Sequence, residues 1–91
     1  MENQPAFNKV RVHWSCRRGM KELDMLIMPF FEEKFDGLAY ADQKAFVDLL
    51  DFEDPQLFNW LMNKQVPEDQ ALLRIIRLIQ KRNQEYVAST L

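Results

Sequence analysis

The stretch Met20-Lys21-Glu22-Leu23-Asp24-Met25-Leu26-Ile27-Met28-Pro29-Phe30-Phe31-Glu32-Glu33-Lys34-Phe35 decides the fold. Met20, Leu23, Ile27, Phe30 and Phe31 recur at three- and four-residue intervals, which places them on one face of a helix over about 20–35. Pro29 interrupts that pattern. A proline removes the hydrogen bond to the carbonyl four residues back and crowds it, so a kink is expected near Leu26–Met28, or a break there into two pieces. Just upstream stands Arg17-Arg18-Gly19. Glycine takes positive φ cheaply, so Gly19 is expected to stop an earlier helix over about 8–18, with Val10, Trp14 and Arg17 on one side and Val12 and Cys16 nearby.

Downstream, Asp36-Gly37 is the next stop signal, and a third helix is expected over about 41–52 with Phe46, Leu49 and Leu50 inward. Ala39, Tyr40 and Ala41 are poor caps for it. Asp54-Pro55 is a strong start: Asp54 as N-cap and Pro55 at the first helical position, leading a helix over about 55–63. That helix is apolar nearly all round, so some of Phe58, Trp60 and Met62 are expected to stay exposed. Pro67-Glu68-Asp69 opens a fifth helix to about Arg82, with Leu72, Ile75, Ile76 and Ile79 on its face. Lys81 and Arg82 suit its C-terminal dipole, and the tail after Asn83 is expected to fray. Two glycines, four prolines and no alternating run leave no place for a sheet. The expected fold is all-α: one domain over 1–91, a compact and mostly antiparallel five-helix bundle with its core over about 8–83 and frayed tails.

A chain of 91 residues with 47% apolar residues folds as one small domain, with little room for both a core and a deep ligand cavity. That argues against a conventional enzyme. The single cysteine, Cys16, excludes an internal disulfide, and no run of about 18 apolar residues is present to span a membrane. The N-terminus lacks the pattern of a signal peptide, so a cytoplasmic protein is expected. Charge is uneven along the chain. Residues 22–54 hold ten acids against Lys34 and Lys44, which would repel phosphate backbones and argues against general nucleic-acid binding.

Few residues offer chemistry. His13 and Cys16 are three apart, but a metal site needs further converging donors, and a Cys–His nucleophile needs a third orienting group. Burial of Cys16 and half-exposure of His13 is the plainer reading. The two glycines are 18 positions apart, so no phosphate-cradling loop exists. With neither catalysis nor a metal centre in view, function falls to a surface. Arg18 and Glu22 are four apart and have two readings. They form a surface ion pair, worth about 0.3–0.5 kcal/mol, or Arg18 ends one helix and Glu22 begins the next, a corner offered to another protein.

The run His13-Trp14-Ser15-Cys16-Arg17-Arg18-Gly19-Met20-Lys21-Glu22-Leu23-Asp24, with Ile27-Met28-Pro29-Phe30-Phe31, Asp54-Pro55-x-Leu57-Phe58-Asn59-Trp60-Leu61-Met62 and Arg77-Leu78-Ile79-Gln80, resembles the succinate dehydrogenase assembly factor family, the SdhE or YgfY proteins of bacteria. A mitochondrial counterpart is succinate dehydrogenase assembly factor two. The resemblance covers about residues 8–83. It implies a five-helix bundle with no catalysis and no cofactor of its own. It implies binding to the flavoprotein subunit of succinate dehydrogenase, and in bacteria of fumarate reductase, to promote covalent attachment of FAD to a histidine there. The family's Arg-Gly-x-x-Glu motif falls on Arg18, Gly19 and Glu22. The resemblance thus implies a partner-binding surface of these three with Trp14, Arg17 and Asp24. Relatives carry Ser or a similar cap where this chain has Ala39, a departure that touches the start of the third helix and not the motif. Members have also been described as the antitoxin of a toxin–antitoxin pair, a regulatory interaction module that needs no flavoprotein. Monomeric behaviour or weak self-association fits the exposed apolar residues expected on so small a bundle.

Overall fold

In a computed structural model, which describes residues 7–90, the chain folds into helices α1 (Lys9–Ser15), α2 (Lys21–Lys34), α3 (Tyr40–Leu49), α4 (Asp54–Leu61) and α5 (Gln70–Thr90), with a 3-10 turn at Phe35–Gly37 after α2. No strand is present among the described residues, and no helix among them is long and apolar enough to cross a membrane. The all-α five-helix fold is therefore as expected.

The apolar face of α2 is the spine of the core. Leu23, Leu26, Ile27, Phe30 and Phe31 are all buried, a stripe with helical period. Phe31, Phe35 and Phe46 close into a ring cluster with centroids 5.1–6.1 Å apart, and Phe30 joins it through Phe46 at 5.6 Å. Ile75, Ile76 and Ile79 of α5 are buried in the same core, and α5 packs against α3, α2 and α4. Val12 and Cys16 are the buried side of α1.

Pro29 does not break α2, which runs uninterrupted from Lys21 to Lys34. The expected break is corrected by where the proline sits. Met25, whose carbonyl loses its partner, is exposed and Pro29 is half-exposed, so the gap in the ladder lies on the outer side of the helix. Water can serve the freed carbonyl there, while the buried stripe packs both halves into the same core.

Two other expectations about helix ends are also corrected. Asp54 is not the cap of α4: Glu53 occupies that position in extended conformation, and Asp54 is the first helical residue. Its carboxylate faces Arg18 instead. The tail after Asn83 continues as helix to Thr90, so Lys81 and Arg82 are not at the C-terminal end. Arg82 is buried in mid-helix and makes a bidentate pair with Glu33 of α2, Nε to Oε1 at 3.1 Å and Nη2 to Oε2. The frayed N-terminal tail expected before Phe7 lies outside the described residues.

The remaining ends follow local chemistry. Asn8 caps α1 by accepting from Arg11 N at 3.2 Å, and Asp69 caps α5 by accepting from Leu72 N at 3.0 Å. Ala39 stands at the N-cap of α3 with no side-chain bond to give. After α4, Asn63 takes φ of 61° and the Asn59 carbonyl accepts from Lys64 N at 2.8 Å and Gln65 N at 3.1 Å, a left-handed stop. Of the apolar residues of α4, Met62 is exposed and Phe58 half-buried, whereas Trp60 is buried against Phe52, edge to face at 4.9 Å.

Candidate functional site

The corner between α1 and α2 is built from residues that cannot continue a helix. The N–H of Cys16 bonds back to Val12 and His13, and Arg17 N reaches Trp14 O at 3.2 Å, which ends α1. Gly19 then takes φ of +81°, a conformation that costs an L residue with a Cβ about 1–2 kcal/mol. A Cβ built on it meets nothing within 4 Å. The glycine is needed for its backbone angle and not for a close approach within the chain. The corner is locked by Asp24, whose Oδ1 accepts from Arg18 N at 2.8 Å. Asp24 and Glu22 both lie in the first turn of α2, where negative charge suits the helix dipole.

Arg18 and Glu22 do not pair, and the alternative of a turn between two helices holds. The Arg18 side chain is turned inward, with 15% of its surface exposed. Its Nε donates to Asp54 Oδ1 at 2.9 Å. Nη1 donates to the carbonyls of Ser15 at 2.9 Å and Leu50 at 2.8 Å, and Nη2 to that of Phe52 at 2.7 Å. Four of the five N–H donors of the guanidinium are thus committed within the chain. One donor is left for any outside acceptor. Asp24 is likewise occupied as the lock of the corner.

The other four expected residues face out. Trp14 is 63% exposed, and the Arg17 guanidinium lies 5.9 Å from the centre of its ring. Gly19 is exposed. Glu22 is exposed and makes no hydrogen bond or ion pair among the described residues. Two exposed apolar side chains extend this surface, Val10 one turn before Trp14 on α1 and Met25 three residues after Glu22 on α2. The sequence pattern places Val10 on the Trp14 side of α1 and does not single out Met25. Its offset from the buried stripe of α2 is the signal that marks it as outward. Asp54 carried no local signal for its role, since its partner is 36 residues away.

The chemistry of Cys16 and His13 is limited by placement. Cys16 is fully buried, and burial pushes its thiol up to about 12, so the nucleophilic thiolate is absent near neutrality. His13 Nε2 lies 3.8 Å from Glu32 Oε2 at the surface, and no three His, Cys, Asp or Glu side chains cluster among the described residues.

Comparison with known proteins bears on what this surface is for. Residues 10–83 match the family described as "Flavinator of succinate dehydrogenase". The FAD assembly factor SdhE of Pectobacterium atrosepticum is 59% identical over 78 residues, covering 86% of this chain and 89% of that protein. The protein of the same name from Photorhabdus laumondii is 56% identical over 78 residues with the same coverage. A protein called UPF0350, whose structure was solved in solution, is 46% identical and superposes with a TM-score of 0.73 over 88% of this chain and 85% of its own. The match takes in the corner, α2, α3 and α4 whole, and α5 as far as Asn83. The chain belongs to the SdhE family of FAD assembly factors, the flavinators of succinate dehydrogenase.

Proposed function

We propose that this chain is an assembly factor without catalysis of its own, which binds the flavoprotein subunit of succinate dehydrogenase, and that of fumarate reductase, and promotes covalent attachment of FAD to a histidine of that subunit. It acts in the cytoplasm, as a monomer or with weak self-association, and carries no flavin itself. The bond is formed by the flavoprotein. The assembly factor holds the conformation in which the histidine nucleophile and the flavin ring are aligned, so the gain is one of positioning. Such a factor shifts the flavoprotein only as far as it prefers that conformation over others.

The observation that carries this reading is Glu22. Of the two charged residues, Arg18 and Glu22, on which the Arg-Gly-x-x-Glu motif implied by the resemblance falls, it is the one that the fold neither buries nor pairs. The same corner carries, on its α1 side, the exposed Trp14 and Arg17, aromatic and arginine groups of the kind enriched at protein interfaces. A carboxylate there can accept charge-assisted hydrogen bonds from a partner.

Glu22→Ala tests it cleanly. The side chain has no partner in the fold, so stability is expected to change by less than about 0.5 kcal/mol. Covalent flavin on the flavoprotein subunit, read by in-gel fluorescence in a strain carrying only the variant, is expected to fall severalfold. Wild-type fluorescence with Glu22→Ala would remove Glu22 from the contact.

A further inference from the structure

Three helix ends converge on one guanidinium. Ser15 is the last residue of α1, Leu50 follows α3, and Phe52 lies in the turn between α3 and α4. The carbonyls of Ser15 and Leu50 are among those that helix geometry leaves without internal partners, that of Phe52 belongs to the turn itself, and Arg18 donates to all three. Asp54, first residue of α4, supplies the counter-charge. The positive group thus sits where the dipoles of α1 and α3 favour it. The turn it holds carries Asp51, Phe52 and Glu53, all three exposed. A side chain from the corner therefore fixes a segment more than 30 residues away in sequence, and does so from within.

We propose that Arg18 is a positioning residue for flavoprotein binding: through Asp54 and the carbonyls of Leu50 and Phe52 it fixes the α3–α4 turn beside the corner, so that Glu22 and the Asp51–Glu53 segment meet the flavoprotein subunit as one surface. This rests on the assembly-factor reading above. It departs from a direct contact in one respect that can be measured. A direct contact by Arg18 would be indifferent to Asp54, whereas a strut fails equally when either end is removed.

The test is a double-mutant cycle on the full chain, with purified flavoprotein subunit and FAD. Arg18→Lys keeps the charge but lacks the planar fork that reaches four acceptors, and Asp54→Ala removes the anchor. Each is expected to raise the concentration for half-maximal flavin attachment about tenfold while leaving the rate at saturation unchanged. The double variant is expected to match the worse single variant and not to reach about a hundredfold. Circular dichroism checks that each variant is folded. Amide exchange on the free proteins is expected to show lost protection in the 51–54 segment of both single variants, with the α5 core amides unchanged.

Multiplying effects, or a wild-type response from Asp54→Ala, overturn the positioning role while leaving the assembly-factor reading intact. A wild-type chain that fails to accelerate flavin attachment overturns that reading and this inference with it. Unchanged exchange at 51–54 overturns the strut whether or not the flavoprotein responds.

Discussion

Gly19 and Gly37 are the only two glycines of the chain and serve different ends. Gly19 stands at φ of +81° with open space where a side chain would go, and Gly37 has equal space but lies outside the positive-φ region. A methyl group on Gly19 therefore clashes with nothing, and its whole cost is the backbone angle. Gly19→Ala is expected to lower the unfolding free energy by about 1 kcal/mol. Gly37→Ala is expected to be neutral, or to stabilise by a few tenths through the entropy of the unfolded chain. Urea denaturation with an unchanged slope would read both. Equal effects at the two positions would mean that the corner does not depend on the left-handed angle. The contrast also shows how far a motif can be read alone. The need for glycine between Arg18 and Glu22 is legible from the helix pattern on either side. The inward turn of Arg18 is not, because its acceptors belong to α3 and α4.

At the scale of elements, several ties between helices are arginines whose partners lie far away in sequence. Arg74 of α5 holds Asp42 of α3 in a two-bonded fork, Nε to Oδ1 at 2.8 Å and Nη2 to Oδ2 at 3.2 Å. The two ends of this pair differ: the Arg74 side chain is 66% exposed and that of Asp42 is 12% exposed. Removing Asp42 releases a guanidinium that water can serve, whereas removing Arg74 strands a buried carboxylate. Arg74→Ala is therefore expected to lower the unfolding temperature more than Asp42→Ala does, with thermal unfolding as the measurement. The reverse order would show that the helix dipole at the start of α3 already satisfies Asp42. These pairs also explain which parts of the fold the sequence could reveal. The helices themselves were readable, since Leu23, Ile27, Phe30 and Phe31, or Ile75, Ile76 and Ile79, carry the period of a buried face. The cap of α4 and the C-terminal end of α5 were not. Arg82 beside Lys81 imitates a C-terminal charge pattern, yet its partner Glu33 is 49 residues back, and the chain beyond it holds no glycine or proline to stop the helix. Asp54 before Pro55 imitates a cap for the same reason. A residue committed to a distant ion pair looks, locally, like a residue placed for its own helix end.

For the molecule as a whole, stability should be bounded on both sides of neutrality by groups that differ between the folded and unfolded chain. On the acid side, the fork to Arg82 holds the Glu33 carboxyl below its ordinary value of 4.5, so the pair contributes stability above that pH and loses it as pH falls further. On the alkaline side, Cys16 dominates. Burial raises its thiol from 9.0 to about 12, so between those values the unfolded chain has released a proton that the folded chain still holds. Where the unfolded state binds fewer protons, stability declines as pH rises. Lys44 acts in the same direction at higher pH, since its hydrogen bond to Asp48 raises it above 10.5. The wild-type unfolding free energy is accordingly expected to fall steadily from about pH 9 upward. Cys16→Ala removes the thiol and leaves a small cavity, so it lowers stability near neutrality by about 1 kcal/mol. It should also flatten the decline between about pH 9 and about pH 10, before Lys44 contributes. Denaturant titrations at successive pH values would separate the two effects. Parallel curves for wild type and Cys16→Ala would show that the buried thiol is not the source of the alkaline loss.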